Sequence, residues 1–214
     1  MPYFKNKDIN VLFIHVPKTG GSSLETYFSS KFNIPLNNKS LFHFIKDKQL
    51  LNENIKIKSS LQHITYNQIV KYSKILNIDF DNIKIITIVR NPYERFVSDL
   101  FYFSLITTDS TKEAVFDILH NYLVSDKYDN HNIPQHTFIT NDKGEIIENI
   151  HILKTESLTN EMKVLGYIDF NIYDNVNINK VNYYNYLNNE SIEIINKFYH
   201  LDFILFNYNK ISVF

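Results

Sequence analysis

Two mainly apolar runs, Val11 to Val16 and Ile85 to Val89, stand out in a chain otherwise rich in Asn and Lys. Both are too short for a helix, and the second is dense in β-branched residues, so both read as buried strands of a central sheet. After the first run, Pro17 breaks the pattern and Gly20 and Gly21 offer a turn. Leu24, Tyr27 and Phe28 then recur at helical spacing, giving a helix ending near Lys31. After the second run, Asn91 can cap a helix and Pro92 suits its first position, while Phe96, Leu100 and Phe103 line one face over 92–104.

Elsewhere the pattern is weaker. Residues 1–10 read as a short polar lead. Residues 32–60 carry little beyond the aromatic patch Leu41-Phe42-His43-Phe44, and are expected to form an irregular excursion over a cleft. Thr65 is placed to cap a helix carrying Ile69, Val70, Tyr72 and Ile75. Asp109–Asp126 reads as another helix, lying under the cleft. Thr137–Ile139 and Glu145–Ile147 flank a Gly-containing turn and predict a hairpin, followed by a strand over Ile150–Leu153. Ser157 or Thr159 starts a helix that Gly166 ends, and Ile192, Ile195, Phe198 and Tyr199 form a last helical stripe.

A chain of 214 residues makes one domain over 1–214, and 44% hydrophobic residues suffice for a large core. With 22 Lys+Arg against 23 Asp+Glu, it is not a general binder of nucleic acid or membrane surfaces. It has no Cys, so disulfides, thiolate nucleophiles and zinc–thiolate sites are excluded. No run of 18 apolar residues predicts a membrane span, and no secretory apolar region is visible near Met1. A soluble chain of this kind is expected in a bacterial or viral-host cytoplasm.

The chemistry begins at the first strand's end. Strand, glycine turn and helix start make an anion cradle, because backbone N–H groups can curl round a phosphate and the helix presents its positive end. Lys18 adds a full charge, and Thr19, Ser22 and Ser23 add hydroxyls. This is not a Walker A loop, in which Lys follows the last Gly; here Lys18 precedes both. Arg90 falls where the second strand ends, and an open α/β sheet binds ligands beyond the carboxyl ends of its strands. Lys18 and Arg90 would then share that edge, a compact cation and a fork suited to phosphate. Plainer roles stay open: a bare corner for the glycines, a strand-end salt bridge for Arg90, helix packing for Ser98, and a surface or capping position for His63.

Pro17-Lys18-Thr19-Gly20-Gly21-Ser22-Ser23 resembles the 5′-phosphosulfate loop of sulfotransferases that use 3′-phosphoadenosine 5′-phosphosulfate (PAPS). Val89-Arg90-Asn91-Pro92-Tyr93-Glu94-Arg95-Phe96-Val97-Ser98 resembles the 3′-phosphate segment of their carbohydrate branch, the Golgi-type and heparan sulfate 2-O-like enzymes. The resemblance runs from about residue 11 to 208. It implies a three-layer, P-loop-like α/β fold with a central, mainly parallel sheet flanked by helices. It implies that Lys18, Thr19, Gly20, Gly21, Ser22 and Ser23 hold the 5′ end of PAPS, and that Arg90 and Ser98 hold the 3′-phosphate. Lys18 and His63 would be catalytic, His63 as the base; Glu53 is a poor substitute. His131-Asn132-Ile133-Pro134-Gln135-His136 resembles a Pro-Gln element near the acceptor, departing from it at Asn132 and Ile133, and would make Gln135 and His136 substrate contacts. Lys180 could touch cofactor or acceptor, and Glu156 reads as structural. PAP would be the product, no metal would be required, and the acceptor would be a hydroxyl of the glycan class. A P-loop kinase or NTPase and a non-catalytic PAP-binding homologue are the alternatives.

Overall fold

The computed structural model describes residues 1–42, 57–171 and 181–213. His43, Phe44, Glu53 and Lys180 lie outside the described residues. A four-stranded sheet holds β1 (Tyr3–Lys5), β2 (Asn10–Ile14), β3 (Lys84–Val89) and β4 (Ile150–Lys154), in that spatial order. β2, β3 and β4 run parallel, with Leu12 opposite Ile85 and Thr87 opposite Ile152; β1 pairs antiparallel along the edge. Residues 1–10 are therefore more than a lead. Tyr3 and Phe4 are buried, but a three-residue strand is too short to show an alternation in sequence.

Alternation along the strands divides the core. Leu12, Ile14, Ile85 and Val89 face one side of the sheet, where they meet Ile69 and Tyr72 of α2 (Tyr66–Tyr72) and Phe138. Val11, Phe13, Ile86 and Ile88 face the other, against α1 (Gly21–Phe32) and α5 (Leu158–Val164). A third apolar cluster joins α3 (Pro92–Tyr102), α4 (Lys112–Val124), α6 (Asn189–Phe198) and α7 (His200–Leu205). The protein is thus a mixed α/β structure with a mostly parallel sheet. Among the described residues, no helix is long and apolar enough to cross a membrane.

Three local expectations change. The hairpin shrinks to a single bridge, Thr140 with Ile146, because Gln135–Phe138 coils into a 3₁₀ turn. Thr137 closes that turn, its N–H and hydroxyl both donating to Pro134 O, at 3.2 and 2.6 Å. α2 ends at Tyr72, and Val70 and Ile75 point outward. The helix in 109–126 starts later, at Lys112, where Thr111 Oγ1 accepts from Ala114 N–H at 3.2 Å.

Candidate active site

Parallel pairing puts the C-terminal ends of β2, β3 and β4 at one edge, and a cleft of about 1220 Å³ opens there. Its first wall is the turn after β2. Lys18 and Gly20 adopt left-handed backbone, φ 63° and 84°, which curls the turn toward the start of α1. Gly20, Gly21, Ser22 and Ser23 line the cleft. Thr19 does not: it is fully buried, its hydroxyl donating to Val16 O at 2.8 Å, so the side chain closes the loop from within. Gly21 has a specific reason to lack a side chain. A Cβ there would lie 2.7 Å from Cδ2 and 2.8 Å from Cε1 of His15, whose ring sits directly beneath the turn.

Lys18 places its ammonium 4.2 Å from the centroid of the Tyr102 ring. Burial pulls its pKa below the ordinary lysine value and nearby Arg90 adds to this, with Asp99 opposing.

Arg90 leaves the end of β3 with its backbone clamped by Gln135. Arg90 N–H donates to Gln135 Oε1 at 2.9 Å, and Gln135 Nε2 donates to Arg90 O at 2.8 Å. The guanidinium pairs with Glu94 Oε2 at 3.1 Å, reaches Lys18 O at 3.4 Å, and lies 5.1 Å from the Tyr183 ring centroid. The Lys18 turn and the Arg90 fork therefore share one wall, and Ser98, two turns into α3, lines it as well. Arg95, buried, ties the parts together by donating to Pro17 O, Ile133 O and His131 O. Thr155, at the end of β4, bonds Thr19 O at 2.7 Å and Val89 O at 3.1 Å, fixing that strand to both loops.

His63 lines the cleft with only 7% of its surface exposed. Its Nδ1 lies 2.7 Å from Asp129 Oδ2, and Asp129 is held in turn by the N–H and hydroxyl of Ser60. A carboxylate at Nδ1 accepts the hydrogen bond of the ring N–H there and leaves the Nε2 lone pair free to accept. Burial lowers the His63 pKa to about 3, Asp129 opposing, with the His15 and His131 rings adding to the fall. For Asp129, burial pushes the carboxyl up, but the bonds from His63 and Ser60 outweigh it and hold it below the usual range.

Two further histidines flank His63, at ring centroid distances of 5.1 Å for His15 and 4.7 Å for His131. Each has a carboxylate on Nδ1: Glu25 at 2.5 Å for His15, Asp99 at 2.7 Å for His131. Gln62 adds bonds to both Glu25 oxygens at 3.1 Å. The local pattern around His63 offers no sign of these partners, which lie far off in sequence. Among the described residues, His63, Asp129 and His131 form the group close enough to share an ion, their ligand atoms lying within 4.8 Å; both Nδ1 atoms are already paired with carboxylates.

Not every expected contact reaches the cleft. Gln135 is fully buried and spent on the Arg90 backbone. His136 Nδ1 is 2.7 Å from Asp202, and neither residue lines the cavity. The Pro-Gln element thus supports Arg90 from behind. Glu156 accepts from Asn91 N–H at 2.8 Å and Tyr208 OH at 2.9 Å, an anchor for the start of α3.

No curated protein and no solved structure matches the chain. A family model described as the sulfotransferase family matches residues 1–209. With that match over nearly its whole length, the chain belongs to the sulfotransferase family.

Proposed function

We propose that the protein moves a sulfuryl group from PAPS to an acceptor hydroxyl, on a carbohydrate. The observation that carries this reading is the sharing of one cleft wall by the Lys18 turn and the Arg90 guanidinium, with the His63–Asp129 pair at the same cavity. A nucleotide phosphorylated at both ends needs two anion sites on one edge, and a hydroxyl acceptor needs a neutral base.

In this account Lys18, the N–H groups of Gly20, Gly21 and Ser22, and Ser23 at the start of α1 hold the 5′ end, and Arg90 and Ser98 hold the 3′-phosphate. As the S–O bond to the 5′-phosphate breaks, charge grows on the leaving oxygen, and Lys18 stabilises it. His63 Nε2 takes the acceptor's proton as its oxygen attacks sulfur, and Asp129 steadies the resulting imidazolium. PAP leaves as product. The side chain of Thr19 supports the loop, and Gln135 and His136 act through the Arg90 backbone and Asp202 rather than by touching substrate.

A carbohydrate acceptor suits a cleft that mixes aromatic rings (Phe101, Tyr102, Tyr183, Tyr184) with hydroxyl and amide groups. At about 1220 Å³ the cleft exceeds the roughly 300–1,000 Å³ usual for one small ligand, as a site for two substrates should. The same reading takes residues 1–214 as a single, soluble, cytoplasmic domain of the three-layer P-loop-like type, working without metal. The test is transfer of labelled sulfate from PAPS to pooled polysaccharides. Lys18→Ala should cut transfer about a hundred- to a thousandfold and Arg90→Ala should reduce it through weaker PAPS binding, while His63→Ala keeps PAP binding and loses turnover. ATP·Mg²⁺ binding more tightly than PAP would overturn the reading, as would tight PAP binding with no transfer to any acceptor.

A further inference from the structure

In the sequence His131 is only the first residue of the Pro-Gln element, yet its ring has more fixed neighbours than a loop histidine needs. Nδ1 is 2.7 Å from Asp99, which is 1% exposed and accepts also from Tyr122 OH. Its own peptide oxygen accepts from Arg95. The ring cannot rotate without stripping one oxygen of a buried carboxylate of its partner. From that anchored position it makes two contacts. It meets His63 edge to face, at 4.7 Å and 86°, and it lies flat on Tyr102, at 5.3 Å and 13°.

Tyr102 is the informative partner. It is 59% exposed at the last turn of α3, where a tyrosine ordinarily samples several rotamers, yet its ring carries the Lys18 ammonium at 4.2 Å from the centroid. The two groups given chemical roles above, His63 and Lys18, come from separate elements, the Leu61–His63 turn and the turn after β2. His131 touches one directly and the other through a single ring.

We propose that His131 is a positioning residue, which sets the His63 ring and, through Tyr102, the Lys18 ammonium from one anchored imidazole. The inference rests on the sulfuryl-transfer reading for its consequence in turnover, but its geometric part does not. The charged and titratable groups facing His63 are His15 at the end of β2, Asp129 beyond α4, and His131, backed by Glu25 and Asp99. Removing the His131 ring takes one of the two like neighbours that oppose protonation of His63.

The experiment uses the full chain and the variants His131→Asn, Tyr102→Leu and Tyr102→Phe. PAP release from PAPS with pooled polysaccharides reads turnover, calorimetry reads PAP affinity, and imidazole NMR reads the His63 titration. His131→Asn should lower kcat about a hundredfold, the usual cost of a misplaced reacting group, with a much smaller fall in PAP affinity, because Arg90 and Ser98 keep their hold. The His63 midpoint should move up. Tyr102→Leu should lower kcat, and Tyr102→Phe, which keeps the ring, should recover most of it. A purely structural role would reduce melting temperature and leave the His63 midpoint and kcat of the folded protein as they were, and that result overturns the proposal. If His131→Asn does not fold, the exposed Tyr102 pair decides: native kcat in Tyr102→Leu overturns it. If the native chain neither binds PAP nor releases it from PAPS, the functional reading fails, and the His63 midpoint in His131→Asn still decides the geometric part.

Discussion

Gly21→Ala isolates the packing beneath the anion turn. At the first position of α1 an added methyl would ordinarily help, since Ala is favoured over Gly within a helix by up to about 1 kcal/mol. Here the new Cβ would lie 2.7 and 2.8 Å from carbons of the His15 ring. That ring has little room to yield. Glu25 holds Nδ1 at 2.5 Å, His63 crosses it at 5.1 Å, and Phe13 lies at 5.5 Å. Overpacking of this kind costs roughly 1–3 kcal/mol, more than the helical gain. For a chain of this size the melting temperature should fall by ~2–12 °C. Calorimetry should also show weaker PAP binding, because the loop must lift off His15. A double-mutant cycle separates clash from other losses: in a His15→Ala background, Gly21→Ala should be nearly neutral. Gly20→Ala is the contrast. It meets only Leu158 and Thr155 carbons at 3.9 Å, but must hold φ 84°, costing roughly 1–2 kcal/mol in either background. Gly21→Ala with native melting temperature and PAP affinity, or an undiminished effect in His15→Ala, would refute the packing argument.

Four other outcomes follow from the same geometry. His63 is lowered to about 3 in the folded chain, so the base stays neutral and kcat should be flat from neutral pH well below 6.5; a half-maximal rate near 6.5 contradicts this. The sign for stability is that the unfolded chain binds the extra proton between about 3 and 6.5, so unfolding free energy should drop as pH falls through that window, and His63→Asn should flatten the slope in urea titrations. Gln135→Ala leaves the Arg90 N–H and carbonyl without side-chain partners, which should cost about 1–3 kcal/mol and weaken PAP binding although the side chain does not line the cleft. Lys18→Ala should raise the transfer barrier by about 2.7–4 kcal/mol, read as a loss in kcat at saturating PAPS; a smaller loss with raised KM alone would move Lys18 from leaving-group stabilisation to plain binding.

What could be read from the chain was what is written locally. The β2 turn and the start of α3 each combine an apolar strand, a breaker and a helical period within a score of residues, and both stand where the pattern put them. The supporting shell was not legible for a physical reason. Asp129 serves His63 across 66 positions and Gln135 clamps Arg90 across 45, and no periodicity encodes such a pairing. Glu25 is subtler: it stands on α1 in the pattern of a surface carboxylate, and only the fold turns it inward to His15. The 135–147 segment misled because its residues suit a strand, while Thr137 and Asn141 bond back to their own loop first.

The central claim is that one nucleotide is gripped at both ends, by the Lys18 turn and by Arg90. It is tested most directly by calorimetry of the full chain with PAP and with adenosine 5′-phosphate. A charge-assisted contact to the 3′-phosphate is worth about 1.5–3 kcal/mol, so PAP should bind about ten- to a hundredfold more tightly, and Arg90→Ala should erase the difference. Equal affinities for the two nucleotides in the native protein, or a preference for PAP that survives Arg90→Ala, would contradict the account.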